Sequence, residues 1–318
     1  MRITLYPDGI AFVNRQITLE AGETDYLIPN IPKTVIDGTF MFNFGDESDN
    51  VVVSEYELLP AAEGFHLKLV VEQVEEKDYV LHLFYQMSQI FSDVFYTWLF
   101  DGSQDVLNIA GWLSVWNQTG LQYEDVELQV VTRENEKDNL IFNIDKPANL
   151  LVDQKVKISL VNLGNIPVQR KLVLPNNKIE VTECVSLYNT PEYKLGMPLM
   201  GGFVKIYFKD NNDYIHSLGE DQATSYLPDD ELIFEIGDAS HIVLAQRSWV
   251  GDNTRSIFLQ NLTNQVIDVS FEEFIGERKL LQSDIQVNVE DGLLSGVARV
   301  LPNGNVKVLY HLQPVEML

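Results

Sequence analysis

The chain has 318 residues, with 22 lysines and arginines against 47 aspartates and glutamates, for a formal net charge of −25 at pH 7. The electrostatic field of so negative a protein repels phosphate groups. This argues against non-specific binding to nucleic acid or to an anionic membrane surface. A hydrophobic content of 45% excludes a disordered chain, and no apolar run approaches the roughly 20 residues that cross a bilayer. We therefore expect a soluble, globular protein without membrane insertion.

Alternating apolar and polar residues, the pattern of half-buried strands, run through the N-terminal part of the chain. The predicted strands there cover residues 10–19, 40–44, 51–59, 65–74 and 79–85. Turn-rich segments separate them, which predicts a first β-sandwich. Residues 86–101 are aromatic and only weakly periodic, so we place the domain boundary near Met87, giving domains at residues 1–87 and 88–318.

The same alternation continues to the C-terminus with no long amphipathic helix. The predicted strands cover residues 106–117, 123–132, 140–144, 156–161, 168–174, 204–208, 232–236, 241–247, 256–262, 266–274, 285–289, 296–300 and 306–312. The clearest predicted hairpin is residues 255–273, because Ile257 and Leu259 can share a face with Val269 and Phe271 across a short turn. This spacing favours an all-β protein of two or three packed antiparallel, immunoglobulin-like β-sandwiches, with one or two of them in the second domain.

Glycines and prolines mark the ends of the alternating runs between Leu195 and Arg247. The motif residues there are Leu195, Gly196, Pro198, Leu199, Gly202, Leu218, Gly219, Glu220, Asp221, Gly237 and Ala239. An upstream segment adds Asn117, Thr119, Gly120, Asp125, Val126 and Leu128. Together they resemble the DUF4139 family of mucoidy-inhibitor-like proteins, in a compact form without that family's coiled-coil insertion and with Ser92 where many relatives have tryptophan. The resemblance implies a β architecture and no particular activity.

Tryptophans are the candidates for an interaction surface, because flat aromatic faces bind proteins, peptides and carbohydrates. Trp112 and Trp116 fall on one face of a predicted strand, and Leu113 and Val115 fall on the other. If the aliphatic face points to the core, the tryptophans are exposed. The arrangement that we favour is a buried layer between two sheets. Trp98, from the preceding aromatic segment, completes the candidate surface. The other aromatic residues of that segment could line a carbohydrate or peptide groove together with the tryptophans; they are Phe91, Phe95, Tyr96 and Phe100.

Glu220 and Asp221 are the candidate catalytic carboxylates. Because adjacent residues of a strand point to opposite faces, we expect them to have a strand-edge or turn role and the protein to lack enzyme activity. Acidic turns at residues 46–49, 101–105 and 210–213 offer the oxygen ligands that Ca²⁺ prefers, but ordinary turn chemistry explains them better and calcium stays the alternative. Without nucleotide, hydrolase or zinc motifs, and with five scattered histidines, the sequence predicts no cofactor and no metal.

The single cysteine, Cys184, excludes an intramolecular disulfide and is predicted to point from a strand into the core. Two sequons, at Asn117 and Asn261, would matter only in a eukaryotic secretory pathway. No signal-peptide pattern precedes the first strand residues. An unprocessed chain is therefore expected in the cytoplasm, and a chain that has lost a leader in the periplasm or at the cell surface.

These observations favour a non-enzymatic structural or protein-interaction protein that binds a protein partner or further copies of itself. One alternative is a carbohydrate-active hydrolase or carbohydrate-binding module, which requires converging carboxylates or a cation in a cleft. Another is a virion or accessory protein of a virus.

Overall fold

A computed structural model describes residues 1–73, 75–133, 139–176, 178–251 and 253–313. In this part of the chain almost all regular structure is β, which confirms the predicted fold class. The helical elements described are two short 3₁₀ turns, Gly45–Glu47 and Pro191–Tyr193. No helix among the described residues is long and apolar enough to cross a membrane.

The strands alternate with short turns along the whole chain. They are β1 (Arg2–Leu5), β2 (Ile10–Leu19), β3 (Asp25–Ile31), β4 (Met41–Asn43), β5 (Val51–Ala61), β6 (Gly64–Gln73), β7 (Tyr79–Ser88), β8 (Ile90–Asp101), β9 (Val106–Asn117), β10 (Tyr123–Arg133), β11 (Asn139–Asn143), β12 (Ala148–Leu150), β13 (Lys155–Pro167), β14 (Gln169–Leu174), β15 (Thr182–Tyr188), β16 (Gly202–Lys209), β17 (Ile215–Ala223), β18 (Glu231–Asp238), β19 (Val243–Gly251), β20 (Thr254–Asn261), β21 (Ile267–Phe274), β22 (Leu280–Ser283), β23 (Val287–Glu290), β24 (Leu293–Val300) and β25 (Asn305–Leu312).

The N-terminal region contains two sheets. Sheet I has the strand order β11-β10-β1-β2-β7-β4, with β12 also paired to β10, and sheet II has the order β3-β6-β5. Buried side chains of both sheets, such as Leu83 and Leu69, belong to one hydrophobic cluster. Sheet I takes strands from both sides of residue 87, because β10 pairs in parallel with β1. The same cluster continues past Met87, and the proposed domain boundary there stays a prediction.

Sheet III is central to the candidate site and has the order β13-β9-β8-β16-β17. Its inner face packs against other sheets, and the Trp98 ring of β8 meets Phe234 of β18 edge-on, with centroids 5.0 Å apart. The middle strand, β8, lies in the segment to which the sequence assigned no strand. It carries apolar side chains on both faces, so the alternation that reveals a half-buried strand is absent from its sequence.

Two further sheets form the C-terminal region. Sheet IV has the order β18-β15-β14-β21-β24-β23, and sheet V has the order β19-β20-β25-β22. The predicted hairpin at residues 255–273 is wrong, because β20 belongs to sheet V and β21 to sheet IV. Ile257 and Phe271 do share a core, but they reach it from opposite sheets of a sandwich.

A buried asparagine makes the turn at the end of β9. Asn117 has no exposed surface, and its Nδ2 donates to the carbonyl oxygens of Leu121 at 2.7 Å and Leu150 at 3.0 Å. Its Oδ1 accepts the backbone N–H of Thr119 at 3.1 Å. The side chain therefore satisfies backbone groups of the turn and of β12 where the chain crosses from sheet III to sheet I.

The same turn recurs at the end of β20. Nδ2 of Asn261 donates to the carbonyl oxygens of Gln265 at 2.7 Å and Val300 at 3.2 Å, and Oδ1 accepts the N–H of Thr263 at 2.8 Å. The strand after each turn also pairs in parallel with an earlier strand, β10 with β1 and β21 with β14. The chain thus contains two units built on one plan.

These contacts change the interpretation of the two sequons. The side chains of Asn117 and Asn261 are 0% and 1% exposed, and their amide nitrogens are engaged by backbone carbonyls. Glycosylation would require both nitrogens to reach solvent. The Asn-x-Thr pattern here is a structural turn that moves the chain between the sheets of a sandwich.

Candidate functional site

The outer face of sheet III displays aromatic side chains to solvent. Leu113 and Val115 of β9 are completely buried, so the alternation of the strand turns Trp112 and Trp116 outward. Trp112 is 41% exposed and Trp116 is half-buried. The favoured expectation of a buried tryptophan layer between sheets is therefore wrong, because no second sheet covers this face among the described residues.

Three neighbouring strands place these aromatic rings side by side. Phe203 of β16 is paired with Phe95 of β8, and Phe95 is paired with Trp112 of β9. The rings of Phe95 and Phe203 stack with centroids 5.9 Å apart. Further along the same strands, Phe91 is paired with Trp116, with centroids 6.1 Å apart. We call these five residues the aromatic face.

Charged side chains lie around and between the rings. On β13, Lys155 sits over the Trp116 ring, 5.0 Å from its centroid, and Lys157 has the same orientation two residues further on. At the opposite edge of the same face, Lys205 of β16 and Glu220 of β17 form an ion pair with 3.0 Å between Nζ and Oε1. Asp93 lies on β8 between Phe91 and Phe95 and is exposed. An ion pair between Lys209 and Asp101 lies at the far end of β16 and β8, so four positive and three negative groups nearly balance one another.

Trp98 does not belong to this surface. It is 4% exposed, because it occupies the opposite face of β8 from Phe95 and packs in the core. Its indole Nε1 is buried without a hydrogen-bond partner among the described residues. The prediction that Trp98 contributes to an interaction surface is corrected by this placement. Phe91, Phe95 and Phe203 take its place.

The carboxylates Glu220 and Asp221 point away from one another. Glu220 is paired with the exposed Lys205, whereas Asp221 is paired with the buried Val204. Asp221 Oδ1 accepts the backbone N–H of Gln222 at 2.7 Å. The two groups therefore lie on opposite faces of β17, which is the edge strand of sheet III. This arrangement cannot bring both carboxylates to one substrate.

The acidic side chains of the turns accept hydrogen bonds from nearby residues of the same turn. Asp210 Oδ1 accepts the backbone N–H groups of Asn212 at 2.8 Å and Tyr214 at 3.0 Å, and a hydrogen bond from His216 holds the pKa of Asp210 below its ordinary value. Asp101 accepts hydrogen bonds from Ser103, which lower its pKa. Among the described residues no group of three or more His, Cys, Asp or Glu side chains is arranged to hold a metal ion.

Gly202 allows β16 to join the sheet beside β8. A Cβ atom at this position would lie 2.5 Å from the carbonyl oxygen of Val94, closer than any real side chain is found. Glycine is therefore required for the close parallel approach of β16 to β8, which places Phe203 next to Phe95. In this position the motif glycine has a structural function that supports the aromatic face.

A cleft of about 630 Å³ opens at the end of sheet III, beside the aromatic face. Its wall includes Ser92, Val130, Thr132, Gly202 and Ser225, which contribute small hydroxyl or aliphatic groups. Thr132 and Ser225 approach one another at 3.3 Å, and Ser225 Oγ accepts the backbone N–H of Gly201 at 3.0 Å. The hydroxyls of Thr132 and Ser225 are thus engaged in hydrogen bonds within the protein.

The candidate site combines four residues that the sequence indicated with one that it did not. Trp112 and Trp116 were candidates from their spacing. Phe91 and Phe95 were candidates from the aromatic segment before them. Phe203 comes from a distant segment, and only the pairing of β16 with β8 brings it into the site. A useful signal was present, since Phe91 and Phe95 are four residues apart and therefore share a strand face.

Comparisons with known proteins give no assignment. No model of a protein family matches the chain. No curated protein matches it either. The resemblance to the DUF4139 family therefore stays a prediction that rests on the motif residues alone.

Proposed function

We propose that this chain is a non-enzymatic protein-interaction protein whose aromatic face docks against another protein surface. The observation that carries the proposal is the exposure of four aligned rings: Phe91 is 40% exposed, Phe95 39%, Trp112 41% and Phe203 54%. Soluble proteins rarely present such contiguous apolar surface unless it meets a partner.

The distribution of polarity on sheet III resembles that of a protein interface. Aromatic rings occupy the three inner strands, β9, β8 and β16, where the charged residues are Asp93 and Lys205 near the rings and the Asp101–Lys209 pair at one end. Lys155, Lys157 and Glu220 lie on the two outer strands. Interfaces have an aromatic, charge-depleted centre surrounded by a polar rim. Aromatic residues are also the side chains that contribute most binding energy per residue.

The geometry gives less support to the hydrolase alternative. A glycosidase uses two carboxyl groups that flank one bond, within about 10 Å of each other and facing the same space. Glu220 and Asp221 face opposite sides of β17. The carbohydrate-binding alternative uses the same rings and is separated from the proposal by experiment.

Photo-crosslinking in source cells tests the proposal. A photoreactive phenylalanine analogue replaces Phe95, and a control chain carries it at Phe274, which is 58% exposed on the C-terminal sandwich. We expect a covalent adduct with a protein of defined mass from position 95 only, which disappears when Trp112→Ser is added. Equal adducts from both positions, no protein adduct, or adducts with polysaccharide would overturn the proposal.

A further inference from the structure

We infer that the protein surface that covers the aromatic face is the same face of a second copy of this chain. The inference rests on the proposed function and names its partner. Three features of sheet III support it: the area of the face, its charge, and the position of its central strand.

The area of the sheet matches what a stable dimer buries. Five strands about 4.8 Å apart, each about ten residues long, cover roughly 24 Å by 33 Å, or about 800 Å². A standard specific interface buries about 800 Å² on each partner. One face of sheet III is therefore sufficient for a complete isologous interface.

The charge of the face permits self-association of a very acidic chain. Of the 47 acidic residues, Asp93, Asp101 and Glu220 lie with the rings on β8 and on the edge strand β17, and four lysines accompany them. Two copies with a net charge of −25 repel one another through solvent, but the aromatic face itself is close to neutral. Face-to-face packing keeps the remaining acidic surface of each copy directed away from the contact.

The salt dependence of the binding affinity distinguishes a second copy of this chain from a basic partner. Salt screens the repulsion between two acidic copies over a distance of about 10 Å at 0.1 M. Higher salt therefore tightens an association of this chain with itself. A basic partner would be attracted by the net charge of −25, and higher salt would weaken its binding.

The order of strands fixes the centre of the contact. β8 is the third of five strands, so a twofold axis through the middle of the sheet brings β8 of one copy over β8 of the other. Thr97 lies near the middle of β8, is exposed, and shares the outer face with Phe95. Equivalent Thr97 residues should therefore lie close together across the dimer axis.

Cysteine crosslinking tests this geometry with little background. The native cysteine, Cys184, is 4% exposed, and burial raises the pKa of its thiol to about 12, so it should not react. Under a mild oxidant we expect Thr97→Cys to form a covalent dimer. The control Val297→Cys, on a strand of sheet IV and 56% exposed in the wild type, should remain monomeric.

Analytical ultracentrifugation provides the second measurement. We expect wild-type protein to dimerise between 1 and about 100 µM, more tightly at higher salt, and Trp112→Ser to weaken the dimer at least about tenfold, as expected for an interface hot spot. Phe274→Ser should have no effect. A strictly monomeric wild type that also fails to crosslink at Thr97→Cys would overturn the inference. If photo-crosslinking from position 95 then captured a different protein, the proposed function would stand and the second copy would be excluded.

Discussion

The rings of Phe95 and Phe203 stack at 5.9 Å across the parallel strands β8 and β16, although 108 residues separate them in the chain. This contact requires the glycine at position 202, because the β16 backbone approaches Val94 too closely for any side chain. We therefore expect Gly202→Ala to shift β16 away from β8 and to lower the midpoint of thermal unfolding by several degrees, which corresponds to about 1–3 kcal/mol. Gly237→Ala, with open space around its Cβ position, is the matched control and should change the midpoint little.

Asn117 and Asn261 should each be important for stability. Replacement by alanine leaves backbone carbonyls such as Leu150 O and Val300 O without their donor, at a cost of about 1–3 kcal/mol in the free energy of unfolding. Urea denaturation followed by circular dichroism measures this loss. Asn212→Ala, in an exposed turn, is the control and should cost less than about 0.5 kcal/mol. Equal stability of all three variants would show that the buried turns are not structural.

Removal of a buried, ion-paired carboxylate in the C-terminal sandwich should lower the stability of the protein by a larger amount. Glu273 is 3% exposed and accepts hydrogen bonds from Arg247 and Arg255. Glu273→Ala leaves two guanidinium groups without their shared carboxylate, and removal of one partner from a buried pair costs about 3–5 kcal/mol. Its neighbour Glu272 is only half-buried, so Glu272→Ala should unfold at nearly the wild-type urea concentration. A Glu273→Ala variant as stable as the wild type would contradict the inferred strength of this network.

Buried tyrosines predict a loss of stability at high pH. Burial raises the pKa of Tyr310 to about 12 and also raises the pKa values of Tyr96 and Tyr123. Because the folded pKa lies above the unfolded value near 10, the protonated phenols stabilise the fold below pH 10, and this stabilisation is lost as pH rises through 12. Titration of tyrosine absorbance should show exposed phenols ionising near pH 10 and these three ionising later, together with unfolding. Ionisation of all tyrosines in one step near pH 10, with the fold intact, would contradict this.

Strands are predictable from the sequence where one face is buried and the other is exposed to solvent, or where turn residues mark their ends. The predicted strands at residues 10–19 and 106–117 have the same bounds as β2 and β9, because turn residues bracket the two runs, such as Asp8-Gly9 before β2 and Thr119-Gly120 after β9. β8 escaped prediction because Phe91 and Phe95 are apolar on the outer face while Val94 and Tyr96 are apolar on the inner face. The property that hides this strand from sequence analysis is the same property that forms the candidate site.

Contacts between residues that are distant in sequence explain the remaining differences between the sequence prediction and the structure. The spacing of Trp112 and Trp116 shows that they share a face but not which face is covered, and that depends on how the sheets pack. The turn at Asn261 resembles a hairpin turn locally. Its hydrogen bond to Val300, 39 residues away, directs the chain to the other sheet, and no local pattern reports that contact.

Oxidative footprinting shows whether the aromatic face is covered when the protein is assembled. Hydroxyl radicals label exposed aromatic rings, so labelling of Trp112 and Phe203 is compared between the assembled protein in cell extract and the dilute purified chain. Tyr214, which is 67% exposed in a turn outside the face, is the internal reference. We expect assembly to protect Trp112 and Phe203 several-fold while the labelling of Tyr214 is unchanged. Equal labelling of Trp112 and Phe203 in the two states would contradict the claim that this face is an interaction surface.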